Sequence, residues 1–449
     1  MTMDTERLRD LDRRYVWHPF TRMDQWMADE PLVIERAQGC WLVDTDGRRY
    51  LDGNSSLWVN VHGHRRAELD QALIAQVERV AHTTFLGLAN PAAAELATRL
   101  VALAPPGLER VFFSESGASA VEVALKMAYA YWRFRGEPGR SLFVSMDGAY
   151  HGDTLGAVSV GRIDAFHDIF RPLLFPSYAF AQPYCYRCPL DLSYPSCALA
   201  CADTLEDVLA RDGDRVAAVI VEPLVQGAAG IVTAPDGHLT RVAEITRRHG
   251  ALLIADEVAT GFGRTGTMFA CAAEDVAPDL LALGKGLTGG YLPMSATLAT
   301  AEVFEAFLGE GRTFFHGHSY SGNPLAAAVA LASLDLFERE DVLGRARALA
   351  DLLAAELKAF EGLEHVGDVR QRGLMAGIEL VGNRWTRTPF PPEAQVGARV
   401  CRRARDLGLV IRPLGDVLVV MPALAMSPDE LRFLATTLLR AVRDVTGTL

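Results

Sequence analysis

Two apolar runs that each lead into a chemically active residue constrain this fold most. Residues 251–255 read A-L-L-I-A and are followed at once by Asp256 and Glu257. A second run at 279–283 leads to Lys285, which stands between two glycines. Runs of this kind indicate buried parallel strands, and ligands of open α/β sheets bind at the carboxyl ends of such strands. We therefore expect Asp256 and Lys285 to meet at one sheet edge.

This pair favours a pyridoxal phosphate site. A buried aspartate is costly unless a cation or a hydrogen-bond donor meets it, and the protonated ring nitrogen of pyridoxal phosphate supplies such a partner. Lys285 can reach the cofactor's aldehyde because its neighbours are small. Partial desolvation would lower the pKa of its amine and make it a better nucleophile.

Two other interpretations of the same stretch compete with this one. Residues 261–266 spell G-x-G-x-x-G, the pattern of a dinucleotide site, but they do not follow the strand directly, and no long crossover helix is evident after them. A phosphate-loop interpretation of Gly284-Lys285 fails because Asp279 stands where the first glycine is required. Lys285 alone could also be a surface lysine after a core strand.

Helix and strand patterns alternate from about residue 68 to residue 330, which predicts an α/β fold with a mainly parallel sheet. We divide the chain into an N-terminal arm and hairpin (1–65) that packs with the small domain, a large cofactor-binding domain (66–325) and a small α+β domain (326–449). Strands are predicted at 110–113, 141–145, 217–222, 252–256, 280–283, 295–299, 375–380, 410–412 and 416–420, and helices at 67–80, 92–103, 121–132, 324–336, 344–360, 393–407 and 428–445.

Three polar segments near strand ends or helix starts are further candidates. Residues 114–119 open a helix, so they could hold a phosphate or simply cap that helix. Tyr150 follows the next strand and could stack on a planar ring or pack as an ordinary turn tyrosine. Residues 315–324 mix histidines with small donors and could cap a helix or reach a phosphate.

Charge and composition narrow the partners and the compartment. The net charge of −12 argues against nucleic acid or an anionic membrane as a partner. The N-terminus carries no apolar signal region, and no apolar run reaches the length of a membrane helix, so we expect a cytoplasmic protein. Cys185, Cys188, Cys197 and Cys201 form a cluster that could bind structural zinc or remain reduced thiols.

Several motifs resemble those of the class III pyridoxal-phosphate aminotransferases. The signature is Asp256-Glu257 with the 261–266 turn, followed by Gly284-Lys285. Further matches are W-H-P-F-T at 17–21, D-G-x-S-S at 52–56, G-x-Y-H-G-D-T at 148–154 and I-R-P at 411–413. The resemblance covers nearly the whole chain and implies a fold-type-I transferase that works as a homodimer with shared active sites.

The same resemblance implies roles for individual residues. Lys285 would attach the cofactor, and Asp256 would pair with its ring nitrogen. The other implied cofactor contacts are Ser116, Gly117, Ala118 and Tyr150, with His318 and Ser319 supplied by the partner subunit. The implied substrate contacts are Phe20, Leu57, Trp58, Tyr150 and Gly317, with Arg412 binding a substrate carboxylate. No catalytic metal is implied.

The resemblance is strongest to the family members that aminate 8-amino-7-oxononanoate in biotin biosynthesis. Members that use S-adenosylmethionine as the amino donor usually carry Tyr, Trp and Tyr at the positions of Phe20, Leu57 and Val419, so these residues resemble the variant that uses lysine. Ala228 and Ala259 differ from the residues that are usual at these positions in family members that use 2-oxoglutarate. The alternatives are another class III ω-aminotransferase, acting on a diamine or a β- or ω-amino acid, and a non-catalytic homologue that only holds the cofactor.

Overall fold

A mixed seven-stranded sheet forms the centre of the computed structural model, which describes residues 4–447. Met1–Met3, part of the stretch predicted to lack a signal sequence, lie outside the described residues. In spatial order the strands are Leu108–Ser114, Ser295–Thr300, Leu280–Leu283, Leu252–Asp256, Val216–Val221, Leu142–Met146 and Tyr178–Phe180. Four of the six pairings are parallel, and Ser295–Thr300 runs antiparallel to both neighbours. The predicted mainly parallel sheet is confirmed.

The middle strands are buried on both faces, which explains their continuous apolar sequences. Every residue of Val216–Val221, Leu252–Asp256 and Leu280–Leu283 is buried. Asp256 pairs in register with Ala282, so the strand that ends in the carboxylate lies beside the strand that leads to Lys285. This register places the two residues at one sheet edge, as predicted.

Helices cover the sheets and supply the remaining core. The long helix Pro324–Arg339 begins at Asn323, whose side chain accepts a hydrogen bond from the Ala326 N–H. The other α-helices are Thr5–Tyr15, Met23–Ala28, Ala67–Val77, Pro91–Leu103, Gly117–Phe134, Leu155–Ser159, Asp164–His167, Ala200–Asp212, His238–Arg248, Ala301–Glu305, Val342–Leu357, Val396–Asp406 and Pro428–Thr446. Within residues 4–447, no helix is long and apolar enough to cross a membrane.

Of two smaller four-stranded sheets, the first joins an N-terminal hairpin to the C-terminal part of the chain, and the second lies within residues 366–420. One contains Ile34–Gln38, Trp41–Asp44 and Arg49–Asp52, the last of which pairs in parallel with Leu409–Val410. The other is antiparallel, in the order Val366–Arg372, Met375–Leu380, Val417–Val420 and Arg412–Leu414. A two-stranded ribbon joins Val225–Gln226 to Val232–Thr233.

The prediction of one strand at 410–412 is wrong. The chain changes sheets at Ile411, so Leu409–Val410 pairs with Leu51 and Asp52, whereas Arg412–Leu414 pairs with Val417–Val420. The predicted helix at 393–407 is also shorter, because its first residues form the separate turn Pro392–Ala394. The division of the chain into three domains stays a prediction.

Candidate active site

Asp256 is a buried carboxylate held by a histidine at the end of its strand. One carboxylate oxygen of Asp256 lies 2.8 Å from His151 Nδ1, and the other accepts a hydrogen bond from the Val258 N–H at 3.0 Å. The residue is only 5% exposed, so its charge is shielded from solvent. Because each carboxylate oxygen has two lone pairs, Asp256 retains acceptor capacity for a further donor.

Lys285 follows the neighbouring strand and has an unusual backbone conformation. Its φ of +40° lies in the left-handed region, which is strained for a residue with a side chain. Among the described residues its amine has no hydrogen-bond or ion-pair partner, and it lies 5.6 Å from the centre of the Trp58 ring. Such an amine is free to react with a ligand.

The surroundings of Lys285 set the pKa of its amine below the usual value. Burial is the largest cause of this lowering, and the cation of Arg264 adds to it. The carboxylates of Asp256 and Glu222 act in the opposite direction. A lowered pKa raises the share of neutral amine, which is the nucleophilic form.

A cavity of about 480 Å³ joins the aspartate, the lysine and a helix start. The helix Gly117–Phe134 is capped by Ser116, whose hydroxyl accepts the Ser119 N–H at 3.2 Å. A Cβ on Gly117 would lie 2.5 Å from Val258 Cγ1, so only glycine lets the helix begin this close to the strand. Free N–H groups at such a start attract anions.

The residues of this cavity fit pyridoxal phosphate. Asp256 can accept from a protonated ring nitrogen, Lys285 has an unpartnered amine for an aldehyde, and the helix start can hold a phosphate. Tyr150 lies on the cavity wall and donates its hydroxyl to Asp153 at 2.7 Å. The cavity is lined by Trp58, Ser116, Gly117, Ala118, Tyr150, His151, Gly152, Asp153, Thr154, Glu222, Ala228, Asp256, Val258, Ala259, Thr260 and Lys285.

A second cavity of about 110 Å³ adjoins the first and shares Lys285 with it. Arg412 is its other cation, with the guanidinium carbon 5.8 Å from the centre of the Phe20 ring. No carboxylate lines this cavity among the described residues, so its charge suits an anionic group on an otherwise apolar molecule. The lining residues are Phe20, Asn54, Leu57, Trp58, Tyr150, Phe166, Ala228, Lys285, Arg412, Leu414 and Val419.

Sequence reasoning missed the roles of Glu222, His151 and Phe166. Glu222 directly follows the core strand Val216–Val221. Burial together with the charge of Asp256 raises its pKa to about 7, while His151 and two backbone N–H groups act against this rise. The sequence could have indicated Glu222, because a carboxylate directly after a buried strand is the same pattern that pointed to Asp256. Phe166, which faces the Phe20 ring edge-on with centroids 5.6 Å apart, lies on a short helix that gave no signal.

Three predicted site residues lie outside both cavities. Gly317, His318 and Ser319 are not among the lining residues, and His318 Nδ1 instead lies 3.3 Å from a Glu115 carboxylate oxygen. Their expected contribution to a partner subunit's site stays a prediction.

The competing interpretations receive no structural support. Residues 261–266 form a buried turn followed by the short 3₁₀ helix Ala270–Glu274, so no crossover helix begins there as a dinucleotide site requires. The four clustered cysteines are free thiols around one cavity of about 20 Å³. Within residues 4–447, no three His, Cys, Asp or Glu side chains are arranged to hold a metal ion.

Comparisons with known proteins agree with this geometry. The aminotransferase class-III family model matches residues 23–442. A Geobacter sulfurreducens protein named adenosylmethionine-8-amino-7-oxononanoate aminotransferase is 53% identical and is covered over 99% of both chains. A crystal structure of the same-named enzyme from Methanocaldococcus jannaschii has a TM-score of 0.94 at 41% identity, covering 98% of this chain and 100% of that one. A PLP-bound amine transaminase from an uncultivated Pseudomonas species has a TM-score of 0.92 at 39% identity, covering 96% and 99%.

Proposed function

We propose, since the chain belongs to the class III aminotransferase family, that it converts 8-amino-7-oxononanoate to 7,8-diaminononanoate in biotin biosynthesis. The observation that carries this proposal is the second cavity, in which Arg412 and apolar walls lie beside the reactive amine of Lys285. An amino-keto acid with a long aliphatic chain and a terminal carboxylate matches that lining. The amino donor is S-adenosylmethionine or lysine.

Pyridoxal phosphate, when bound, supplies the aldehyde that carries the amino group and a ring that accepts negative charge from the donor's carbon. Lys285 would hold the cofactor through its amine. When that amine is free, it would take the proton from the donor carbon as general base and give it up again as general acid. Asp256 would pair with the ring nitrogen and favour its protonated form, and His151 orients that carboxylate through their 2.8 Å contact.

The walls of the second cavity hold the reacting carbon in place. Arg412 binds the carboxylate of the amino-keto acid, and its planar fork favours two parallel hydrogen bonds. Leu57, Trp58 and Phe20 cover the aliphatic chain and exclude water from the reacting centre.

The remaining roles require a second subunit. We infer a cytoplasmic homodimer in which His318 and Ser319 of one chain reach the phosphate held by Ser116, Gly117 and Ala118 of the other. His318 and Ser319 line neither cavity of their own chain, which supports a role in the site of a second chain.

Separate half-reactions test the function and identify the donor. Pyridoxal-phosphate-loaded protein is mixed with S-adenosylmethionine or with lysine, and loss of the cofactor's absorbance band is followed. The protein whose cofactor has taken up the amino group is then mixed with 8-amino-7-oxononanoate. This keto acid should restore the absorbance band and yield 7,8-diaminononanoate. Failure of this keto acid to restore the band contradicts the proposal.

The main alternative is a different ω-aminotransferase, and the fold shared with the Pseudomonas amine transaminase favours it as the second candidate. Such an enzyme would act on a diamine or on a β- or ω-amino acid. The same assay separates the two functions. If the alternative holds, other ketones would restore the absorbance band faster than 8-amino-7-oxononanoate does.

A further inference from the structure

The wall of the second cavity contains one turn of left-handed helix. Ser55, Ser56, Leu57 and Trp58 have φ angles of +44°, +49°, +68° and +69°. The turn is closed by hydrogen bonds from the Trp58 N–H to the Asn54 carbonyl at 2.8 Å and from the Val59 N–H to the Ser55 carbonyl at 3.0 Å. Such conformations are strained for residues with a Cβ, so the surroundings must hold the turn in place.

Side chains from several parts of the chain hold this turn. The Asp52 carboxylate accepts the Ser56 N–H at 3.0 Å and the Ser56 hydroxyl at 2.7 Å. The Ser55 hydroxyl donates to the Met421 carbonyl at 2.8 Å. The N-terminal hairpin and the C-terminal domain therefore both fix the turn's conformation.

Arg264 makes the most unusual of these contacts. Its side chain is 2% exposed, and its guanidinium donates to the Ser55 hydroxyl at 2.9 Å, the Asn60 carbonyl at 2.9 Å and the Pro422 carbonyl at 2.5 Å. All three acceptors are neutral, and the Asp52 carboxylate, the described acid whose charge acts on the guanidinium, lies beyond ion-pair distance. A buried cation without a paired carboxylate is costly, which makes a purely stabilising role a poor explanation.

The glycine-rich loop that contains Arg264 brings the guanidinium to this position. The Arg264 carbonyl accepts the Leu374 N–H at 2.8 Å. Gly373 has a φ of +58°, and a Cβ there would lie 2.3 Å from the same carbonyl oxygen. The G-x-G-x-x-G segment thus packs closely against the C-terminal domain instead of binding a nucleotide.

We propose that Arg264 is a positioning residue for transamination: its guanidinium holds the left-handed turn at 55–58 so that Leu57 and Trp58 form the pocket wall beside Lys285. The proposal rests on the function proposed above. On this proposal, the 261–266 segment supports the pocket wall and binds neither a dinucleotide nor the cofactor.

The charge of Arg264 also acts on the reactive amine. It lowers the pKa of Lys285 together with burial, while Asp256 and Glu222 raise it. The same guanidinium therefore influences both the wall and the nucleophile of the site.

The test uses Arg264→Lys, which keeps a cation but cannot reach all three acceptors. Trp58 is one of six tryptophans, so its emission is isolated by subtracting the Trp58→Phe form of each variant. Acrylamide quenching is measured without substrate. We expect the Trp58 component to change from a buried to an exposed indole, and KM for the keto acid to rise about tenfold, equivalent to about 1.4 kcal/mol.

Ser55→Ala gives a second route, because it removes one acceptor without changing the buried cation. It should expose Trp58 in the same direction, and it decides the question if Arg264→Lys does not fold. Arg99→Lys, at a distant ion pair with Asp335, is the matched control and should leave quenching unchanged. A folded Arg264→Lys or Ser55→Ala protein with Trp58 still protected overturns the proposal. Because quenching needs no substrate, this result is independent of whether the biotin precursor is the true acceptor.

Discussion

At the scale of single residues, we propose that Lys285, Asp256 and Arg412 each carry a different part of the chemistry. Within residues 4–447 the Lys285 amine has no hydrogen-bond or ion-pair partner. Asp256 carries a shielded carboxylate, and Arg412 is the cation in the apolar cavity. Each side chain is available to a ligand because the protein itself leaves part of its bonding capacity unused. Substitution of each should therefore change a different measurable step.

Lys285→Ala should abolish turnover and covalent attachment of the cofactor. The loss follows because no other described amine lines either cavity. Borohydride reduction followed by mass spectrometry of the cofactor-labelled peptide measures the attachment. Lys126→Ala, on the surface beside His316, is the control and should still be labelled at residue 285. Substantial turnover by Lys285→Ala would remove the lysine from its assigned role.

Arg412→Ala should raise KM for the amino-keto acid by roughly 10- to 100-fold, since charge-assisted hydrogen bonds contribute about 1.5–3 kcal/mol. Arg412→Lys keeps the positive charge but lacks the planar fork, so its KM for the amino-keto acid should lie between those of the wild type and Arg412→Ala. Steady-state kinetics with the keto acid varied measure the effect. An unchanged KM in both variants would show that the carboxylate binds elsewhere.

At the scale of elements, ordinary strands and helices carry the site, but its wall is an irregular turn. The predicted strands at 252–256, 280–283 and 375–380 agree with the structure in both bounds. The first two are easy to predict because each is an apolar run that stops at a charged residue or a glycine. The left-handed turn at 55–58 was not predicted. None of its four residues favours positive φ, so only contacts distant in sequence determine that conformation.

Leu57→Gly should be more stable than Leu57→Ala by about 1 kcal/mol, the reverse of the usual order. Leu57 has a φ of +68°, where a Cβ is penalised by roughly 1–2 kcal/mol and glycine is not. Urea unfolding of both variants measures the difference. The same pair at Leu352, inside the helix Val342–Leu357, is the control and should show alanine as the more stable residue.

At the scale of the whole molecule, buried histidines link stability to pH. Burial lowers the pKa of His62 and of His238 to about 4, below the ordinary value of 6.5. Between these pH values the unfolded chain binds protons that the folded chain does not. The stability they contribute is thus present above pH 6.5 and is lost as the pH falls toward 4.

His238→Leu should therefore flatten the dependence of stability on pH. The wild type should lose about 2 kcal/mol per buried histidine between pH 7 and pH 5, and the variant should lose that much less. Urea unfolding at the two pH values measures the change. His82→Gln, at an exposed position, should leave the dependence as it is in the wild type. An equally steep loss in His238→Leu would exclude this histidine as a source.

The first cavity, where we propose that the cofactor binds, was more predictable from sequence than the second, where we propose that the substrate binds. We call them the cofactor cavity and the substrate cavity. Asp256, Lys285 and the helix start at Gly117 all follow strands of one sheet, so strand periodicity alone brings them together. The substrate cavity combines segments whose contacts depend on tertiary packing, such as Phe166 with Phe20. Motif resemblance, not periodicity, pointed to Arg412. The change of sheets at Ile411, which precedes that arginine, was missed because a two-residue strand is too short to leave a pattern.

The substrate cavity takes its lining from segments on both sides of Lys285 in the sequence, and this has a consequence for protein synthesis. Phe20, Leu57 and Trp58 are made before Lys285, whereas Arg412 and Val419 are made after it. A nascent chain that has already emerged through Lys285 therefore possesses the parts of the cofactor cavity while its carboxylate anchor is still unmade. Within one chain, the residues that would recognise the substrate carboxylate are therefore completed later in translation than those that line the cofactor cavity.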